Sequence, residues 1–160
     1  MQQFRRTIFC LSSAAIILLG CNPISTRVTE RDPQKAAREV FELYKKLDLS
    51  SDPRIIDLYA YGAEINGLGK SYTRQEYGKF IAETYKAYSE INGKTRFSEP
   101  TFSAVKNDSV DVQFIVGMER QLDSHVYMTV NWTLKKSGSG AWEISSEKVV
   151  FGKEKPWLPL

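Results

Sequence analysis

From Ser109 onward the hydrophobic period of the chain changes, and that change constrains the fold more than any other feature. Val110, Val112, Phe114, Val116 and Met118 alternate with Asp111, Gln113, Ile115, Gly117 and Glu119. Val126, Met128, Val130, Trp132 and Leu134 alternate in the same way with His125, Tyr127, Thr129, Asn131 and Thr133. Successive side chains of a strand point to opposite faces, so a period of two predicts strands with one apolar face each. Turn-forming clusters separate the runs: Lys106-Asn107-Asp108-Ser109, Leu122-Asp123-Ser124 and Ser137-Gly138-Ser139-Gly140. A preceding strand is expected over about Thr95–Val105, with Pro100 marking a bulge or an edge, and a last one over about Ala141–Phe151.

An apolar sheet face must be covered, and the first half of the chain supplies helices that can cover it. Asp32-Pro33 reads as a helix start, with an N-cap carboxylate and a proline whose missing N–H costs nothing there. Ala36, Ala37, Val40, Phe41, Tyr44 and Leu47 follow at helical spacing. Asp52-Pro53 repeats the start signal before a short helix carrying Ile55, Ile56, Leu58 and Tyr59, which Tyr61-Gly62 ends. Ala63–Asn66 reads as a short strand. Thr73-Arg74-Gln75-Glu76 then fits a capping box, and Tyr77, Phe80, Ile81, Thr84, Tyr85 and Tyr88 share one face of a third helix, which Asn92-Gly93 stops. Three helices packed on a mainly antiparallel sheet make this an α+β chain.

The N-terminus reads as an address. Arg5 and Arg6 precede an apolar run from Ile8 to Leu19, too short to span a bilayer comfortably, and Gly20 sits directly ahead of Cys21. Leu18-Leu19-Gly20-Cys21 resembles the lipobox of bacterial lipoproteins. That resemblance implies cleavage after Gly20 and acylation of Cys21; the plainer alternative is an ordinary secretory signal whose cleavage leaves a cysteine. By the same analogy, Asn22 in a Gram-negative source favours the periplasmic face of the outer membrane over the inner membrane. Residues 22–31 read as a polar tether, 32–152 as one domain, and 153–160, with Pro156 and Pro159, as a tail.

Processing also changes what composition means. Removing Arg5 and Arg6 from the 22 basic side chains leaves 20 against 19 acidic ones, so the quoted net charge of +3 falls to +1. No Lys/Arg stripe remains, and nucleic-acid binding is not expected. Cys10 would leave with the leader, so Cys21 would stand alone, without an intrachain disulfide or a cysteine metal site. No glycine loop, nucleophile elbow or metal constellation is present in the sequence, and no cofactor is expected.

Ile55–Ala60, Ala63-Glu64-Ile65-Asn66-Gly67 and Gly69–Tyr77, in that order and followed late in the chain by Trp142-Glu143-Ile144-Ser145 and Val149, resemble the nuclear transport factor two-like superfamily, most closely its SnoaL-like branch. The resemblance covers about residues 34–152. It implies a curved sheet wrapped around helices into a cone with a pocket at the wide end, and sheet-face homodimers are common among such proteins. Ketosteroid-isomerase-like members place an aspartate base just past the first short strand; here Asn66-Gly67 stands at that point. Dehydratase-type members use a His–Asp pair, whereas His125, the only histidine, lies beside a turn on a mixed strand face and reads as a rim residue.

The resemblance and the residue pattern together nominate Tyr61, Glu64, Tyr72, Tyr77, Tyr85, Met128 and Trp132 as a ligand pocket, since phenols combine apolar area with a polar tip. Glu64 either points to solvent or turns inward among phenols, where it could serve as a general base. Glu119-Arg120 reads as a solvated pair. Two function classes follow. The first is a membrane-anchored, non-catalytic binding or assembly module using the cone, which suits a largely apolar small molecule, or the sheet's outer face; the alternative is a small periplasmic SnoaL-like enzyme of isomerase, dehydratase or hydrolase type acting on a largely apolar small molecule.

Overall fold

The structure, a computed structural model, describes residues 25–67, 69–90, 94–119 and 125–152. The leader, Cys21, Asn92-Gly93, Arg120 and the tail lie outside the described residues, as do the side chains of Tyr88, Glu119 and His125.

Helix α1 spans Pro33–Leu49. The Asp32 carboxylate accepts from the Lys35 N–H at 2.8 Å, satisfying an orphan donor of the first turn. All six residues of its expected stripe are buried: Ala36, Ala37, Val40, Phe41, Tyr44 and Leu47. The expected short second helix is present over Pro53–Leu58 and is of the 3₁₀ type. Helix α2, Arg74–Glu90, opens on the expected capping box: Glu76 Oε2 accepts from the Thr73 N–H at 2.8 Å, and the Glu76 N–H donates to Thr73 Oγ1 at 3.2 Å.

The sheet has seven strands: β1 (Tyr59–Gly67), β2 (Lys70–Tyr72), β3 (Lys94–Phe97), β4 (Thr101–Lys106), β5 (Ser109–Glu119), β6 (His125–Lys136) and β7 (Trp142–Phe151). Their order is β2-β1-β7-β6-β5-β3, with β4 also pairing to β5. Among the described residues, β1 pairs with β7 in parallel and the other pairings are antiparallel. The strand expected over Thr95–Val105 is broken into β3 and β4 around Pro100, and both halves lie on the β5 edge, where a residue without an N–H is tolerated. The inward faces of β5 and β6 are the expected ones, with Val110, Val112, Phe114, Val130, Trp132 and Leu134 all in the core.

Two irregularities re-aim side chains. Pairing of β6 with β7 slips by one residue between Thr133↔Ser146 and Leu134↔Ile144, leaving Ser145 as an extra residue. Beyond this bulge the inward phase of β7 passes from Trp142 and Ile144 to Glu147 and Val149. On the other flank, β1 pairs Tyr59↔Ile144 and next Glu64↔Ser146, so residues 60–63 arch away from a regular ladder. Tyr61-Gly62, expected to end the second helix, lies within this arch of β1.

Residues 25–31 are docked at one end of the domain. Val28 is buried and makes a bridge to Trp142, whose indole Nε1 donates to the Glu30 carbonyl at 2.9 Å. The Arg27 guanidinium donates to the Ser139 carbonyl at 3.0 Å, in the β6–β7 turn that Gly140 closes with φ 82°. The expected free tether over 22–31 is thus docked from residue 25 onward, where the core reaches back to Val28, and residues 22–24 lie outside the described residues.

Candidate functional site

Both helices pack against the sheet. A cavity of about 1140 Å³ opens between them and the sheet, lined by the last turn of α1, by α2 from Tyr77 to Ala87 and by residues of β3, β5, β6 and β7. Such a volume suits a small-molecule ligand. Its walls are mainly apolar and aromatic: Tyr72, Tyr77, Phe80 and Ile81 on one side, Val126, Met128, Val130 and Phe151 on the other. Tyr72, Tyr77 and Phe80 form a ring cluster with centroids 5.4–6.0 Å apart.

Of the residues nominated from the sequence, Tyr72, Tyr77, Tyr85 and Met128 line the cavity. The other three do not. Tyr61 is 93% exposed, because it rides on the arch of β1. Glu64 is exposed beside Ser146, on the face opposite Ile65 and Glu147, which is the solvent-facing one of its two readings. Trp132 lies beneath the floor, buried against Tyr44 and Phe114 at ring distances of 4.8 and 4.6 Å. Asn66 accepts from the Ser71 hydroxyl at 2.7 Å, so the stretch that stands where related proteins carry a base is engaged at the β1–β2 hairpin.

Two carboxyl groups that were not nominated emerge instead. Glu147 is fully buried under the floor. Its Oε2 accepts from Tyr59 Oη at 2.5 Å and from Trp132 Nε1 at 2.8 Å, and its Oε1 accepts from Tyr77 Oη at 2.5 Å. Burial pushes its pKa up and the three donors pull it back, with burial the stronger. The neighbouring phenols Tyr59 and Tyr77 are held well above their ordinary pKa by burial and by the Glu147 charge, so both remain donors. Helix α2, β1, β6 and β7 are thus tied at one carboxylate.

Asp48 lines the cavity itself. Tyr85 Oη donates to its Oδ1 at 3.0 Å, and burial, the larger effect, raises its pKa from 3.8 to about 6. It sits next to last in α1, where the carbonyl end of the helix also disfavours a negative charge. A sequence signal for it exists: Asp48 is four residues after Tyr44 and one after Leu47, on the edge of the buried stripe. Ser51, close by, holds φ 52°, a left-handed conformation at the helix stop that is usually given to glycine. Among the described residues, no group of three His, Cys, Asp or Glu is placed to hold a metal ion.

The wall role of Phe80 changes its expected energetic weight. It is half-buried, so Phe80→Ala should cost about 1–2 kcal/mol, whereas Phe114→Ala, at 1% exposure, should cost about 3–5 kcal/mol. Urea denaturation midpoints of the two variants would reveal that order; equal losses would place Phe80 in the closed core.

No protein-family model and no curated protein sequence matches the chain. Solved structures do. An NTF2-like protein with a cystatin-like fold from Novosphingobium aromaticivorans is similar at TM-score 0.65 and 15% identity, over 77% of this chain and 84% of that one. A candidate ketosteroid isomerase from Shewanella frigidimarina gives 0.61 and 18%, over 72% and 94%. A candidate scytalone dehydratase from Novosphingobium aromaticivorans gives 0.60 and 15%, over 74% and 83%. The chain therefore has the nuclear transport factor two-like (NTF2-like), cystatin-like fold, with helices packed against an open curved sheet. At such identities the likeness carries fold alone, because this fold hosts both enzymes and binding modules.

Proposed function

We propose that the chain is a lipid-anchored bacterial envelope protein whose cavity binds a largely apolar small molecule without turning it over. The observation that carries this reading is the make-up of the cavity. Its walls are aromatic and aliphatic, the deeper carboxyl of Glu147 is saturated by three donors below the floor, and Asp48–Tyr85 is the hydrogen-bonded polar pair at its surface. A preformed apolar cavity with few polar groups suits binding. One observation favours a second reading, a small enzyme of isomerase, dehydratase or hydrolase type: a carboxyl with a pKa of about 6 inside an apolar cavity matches a general base.

Anchoring rests on Leu18-Leu19-Gly20-Cys21 behind a basic, apolar leader, and Asn22 points to the outer membrane's periplasmic face in a Gram-negative cell. Two acyl chains hold a protein firmly at a membrane where one holds it marginally. A homodimer through the outer sheet face accompanies this reading. That face carries polar cross-strand pairs, including Gln113 Nε2 donating to Asn131 Oδ1 and Thr133 Oγ1 donating to Asp111 Oδ1, each at 2.7 Å.

Native mass spectrometry of the protein extracted from membranes tests all three elements. The expected result is an acylated chain cleaved after Gly20, dimeric, carrying an apolar compound that is recovered unchanged after incubation. Cys21→Ser should abolish acylation and normal processing. A wild-type chain released unacylated would sink the anchor. Conversion of the retained compound, lost in Asp48→Asn, would move the protein to the enzyme class.

A further inference from the structure

We infer that the cavity takes a protonated amine: a largely apolar ligand whose ammonium group sits on the Asp48 carboxylate beside the Tyr85 hydroxyl. This rests on the binding reading above and narrows it to one chemical class.

Asp48 lines the cavity, and its Oδ1 accepts from Tyr85 Oη, while its Oδ2 has no hydrogen-bond partner among the described residues. A carboxylate so enclosed prefers a cation within contact distance, and no Lys or Arg forms an ion pair with it among the described residues. The site is more negative than one carboxylate makes it, since Asp48 lies in the last turn of a 17-residue helix whose carbonyl terminus adds partial negative charge. Tyr44, Tyr77 and Phe80 line the same cavity, and aromatic rings beside a bound cation favour it.

The titratable groups facing Asp48 are Tyr44 on its own helix and Tyr77 and Tyr85 on α2, each held above its ordinary pKa and therefore neutral. Asp52, three residues on from Leu49, is matched by Arg54 in a two-pronged ion pair. The cavity's cations are Lys94 and Arg96 on β3. Lys94 is exposed, where water and salt screen it, and Arg96 already makes an interaction of its own. A ligand carboxylate would have to enter against Asp48 to reach them. An ammonium group meets a waiting partner.

Three probes with one body and different heads separate these chemistries: 4-butylbenzylamine, 4-butylbenzyl alcohol and 4-butylbenzoate. Binding is measured by calorimetry on the full chain in lipid nanodiscs at pH 7.5, with empty nanodiscs as the blank. The amine is expected to bind about tenfold or more tighter than the alcohol, and the benzoate weakest. Asp48→Asn keeps an acceptor for Tyr85 and removes the charge, so it should abolish the amine's advantage over the alcohol. At pH 5, where Asp48 takes up a proton, the wild type should lose the same advantage. An alcohol or benzoate that matches or exceeds the amine, or an Asn variant that still prefers the amine, overturns the inference while leaving the cavity a binding site. Failure of all three probes to bind overturns the binding reading itself.

Discussion

Replacing Glu147 by alanine is expected to remove about 3–5 kcal/mol of folding stability, whereas Glu147→Gln should stay within about 1 kcal/mol of wild type. Truncation leaves two phenols and an indole N–H buried with nothing to donate to, on three different elements at once. A glutamine refills the same space. Its carbonyl can accept from Tyr59 and Trp132, and its amide can donate to Tyr77 Oη, because a phenol hydroxyl both donates and accepts. It also removes a carboxyl that burial disfavours when charged. Urea unfolding of a chain beginning at Asn22, followed by circular dichroism, would give both differences. A Gln variant as unstable as the Ala variant would mean that the charge itself holds the elements together.

The second large effect is a pH dependence. Asp48 has a pKa of about 6 in the folded chain against 3.8 as the ordinary value. A raised carboxyl pKa means the native state holds the proton more tightly, so stability is greatest below the lower value and falls as pH rises toward 6. Two units correspond to about 3 kcal/mol, spread over the interval from about pH 4 to pH 6. Asp48→Asn should flatten that slope and make the protein about 2–3 kcal/mol more stable than wild type at pH 7.5. Glu147, also raised, gives the wild type and the variant a shared residual slope of the same sign. Glu30, Asp52 and Glu76 are lowered by hydrogen bonds and act at the acid side of the window, with opposite sign. Melting temperatures from pH 4 to 8 decide the matter; parallel curves for variant and wild type would mean that Asp48 is solvated in solution.

The parts of this molecule that were legible are those set by an unbroken period. The α1 stripe from Ala36 to Leu47, the capping box of Thr73 and Glu76, and the inward residues of β5 and β6 all followed from spacing, because nothing interrupts the repeat within them. The site was harder to read wherever a local device breaks the repeat. Trp142 and Ile144 set a phase that would send Glu147 outward, and only the extra residue at Ser145 turns it in. The arch between Tyr59 and Glu64 is likewise invisible as a period, so Tyr61 was placed in a cavity that it faces away from. Trp132 was placed correctly on the inner face but not at its depth, since alternation gives a direction and no distance. The order of elements sufficed for the fold; two bulges determine which carboxylate reaches the interior.

The strap over residues 25–31 has a consequence for traffic. Cys21 is six residues from Arg27, a reach of about 20 Å even when fully extended. Arg27 and Val28 are fastened at the Ser139 and Trp142 end of β7, while Phe151, at the other end of the same ten-residue strand, lines the cavity about 30 Å away. A lipid on Cys21, as proposed above, would therefore attach near the end of the sheet away from the cavity. A ligand of that cavity would then enter from the side remote from the anchor.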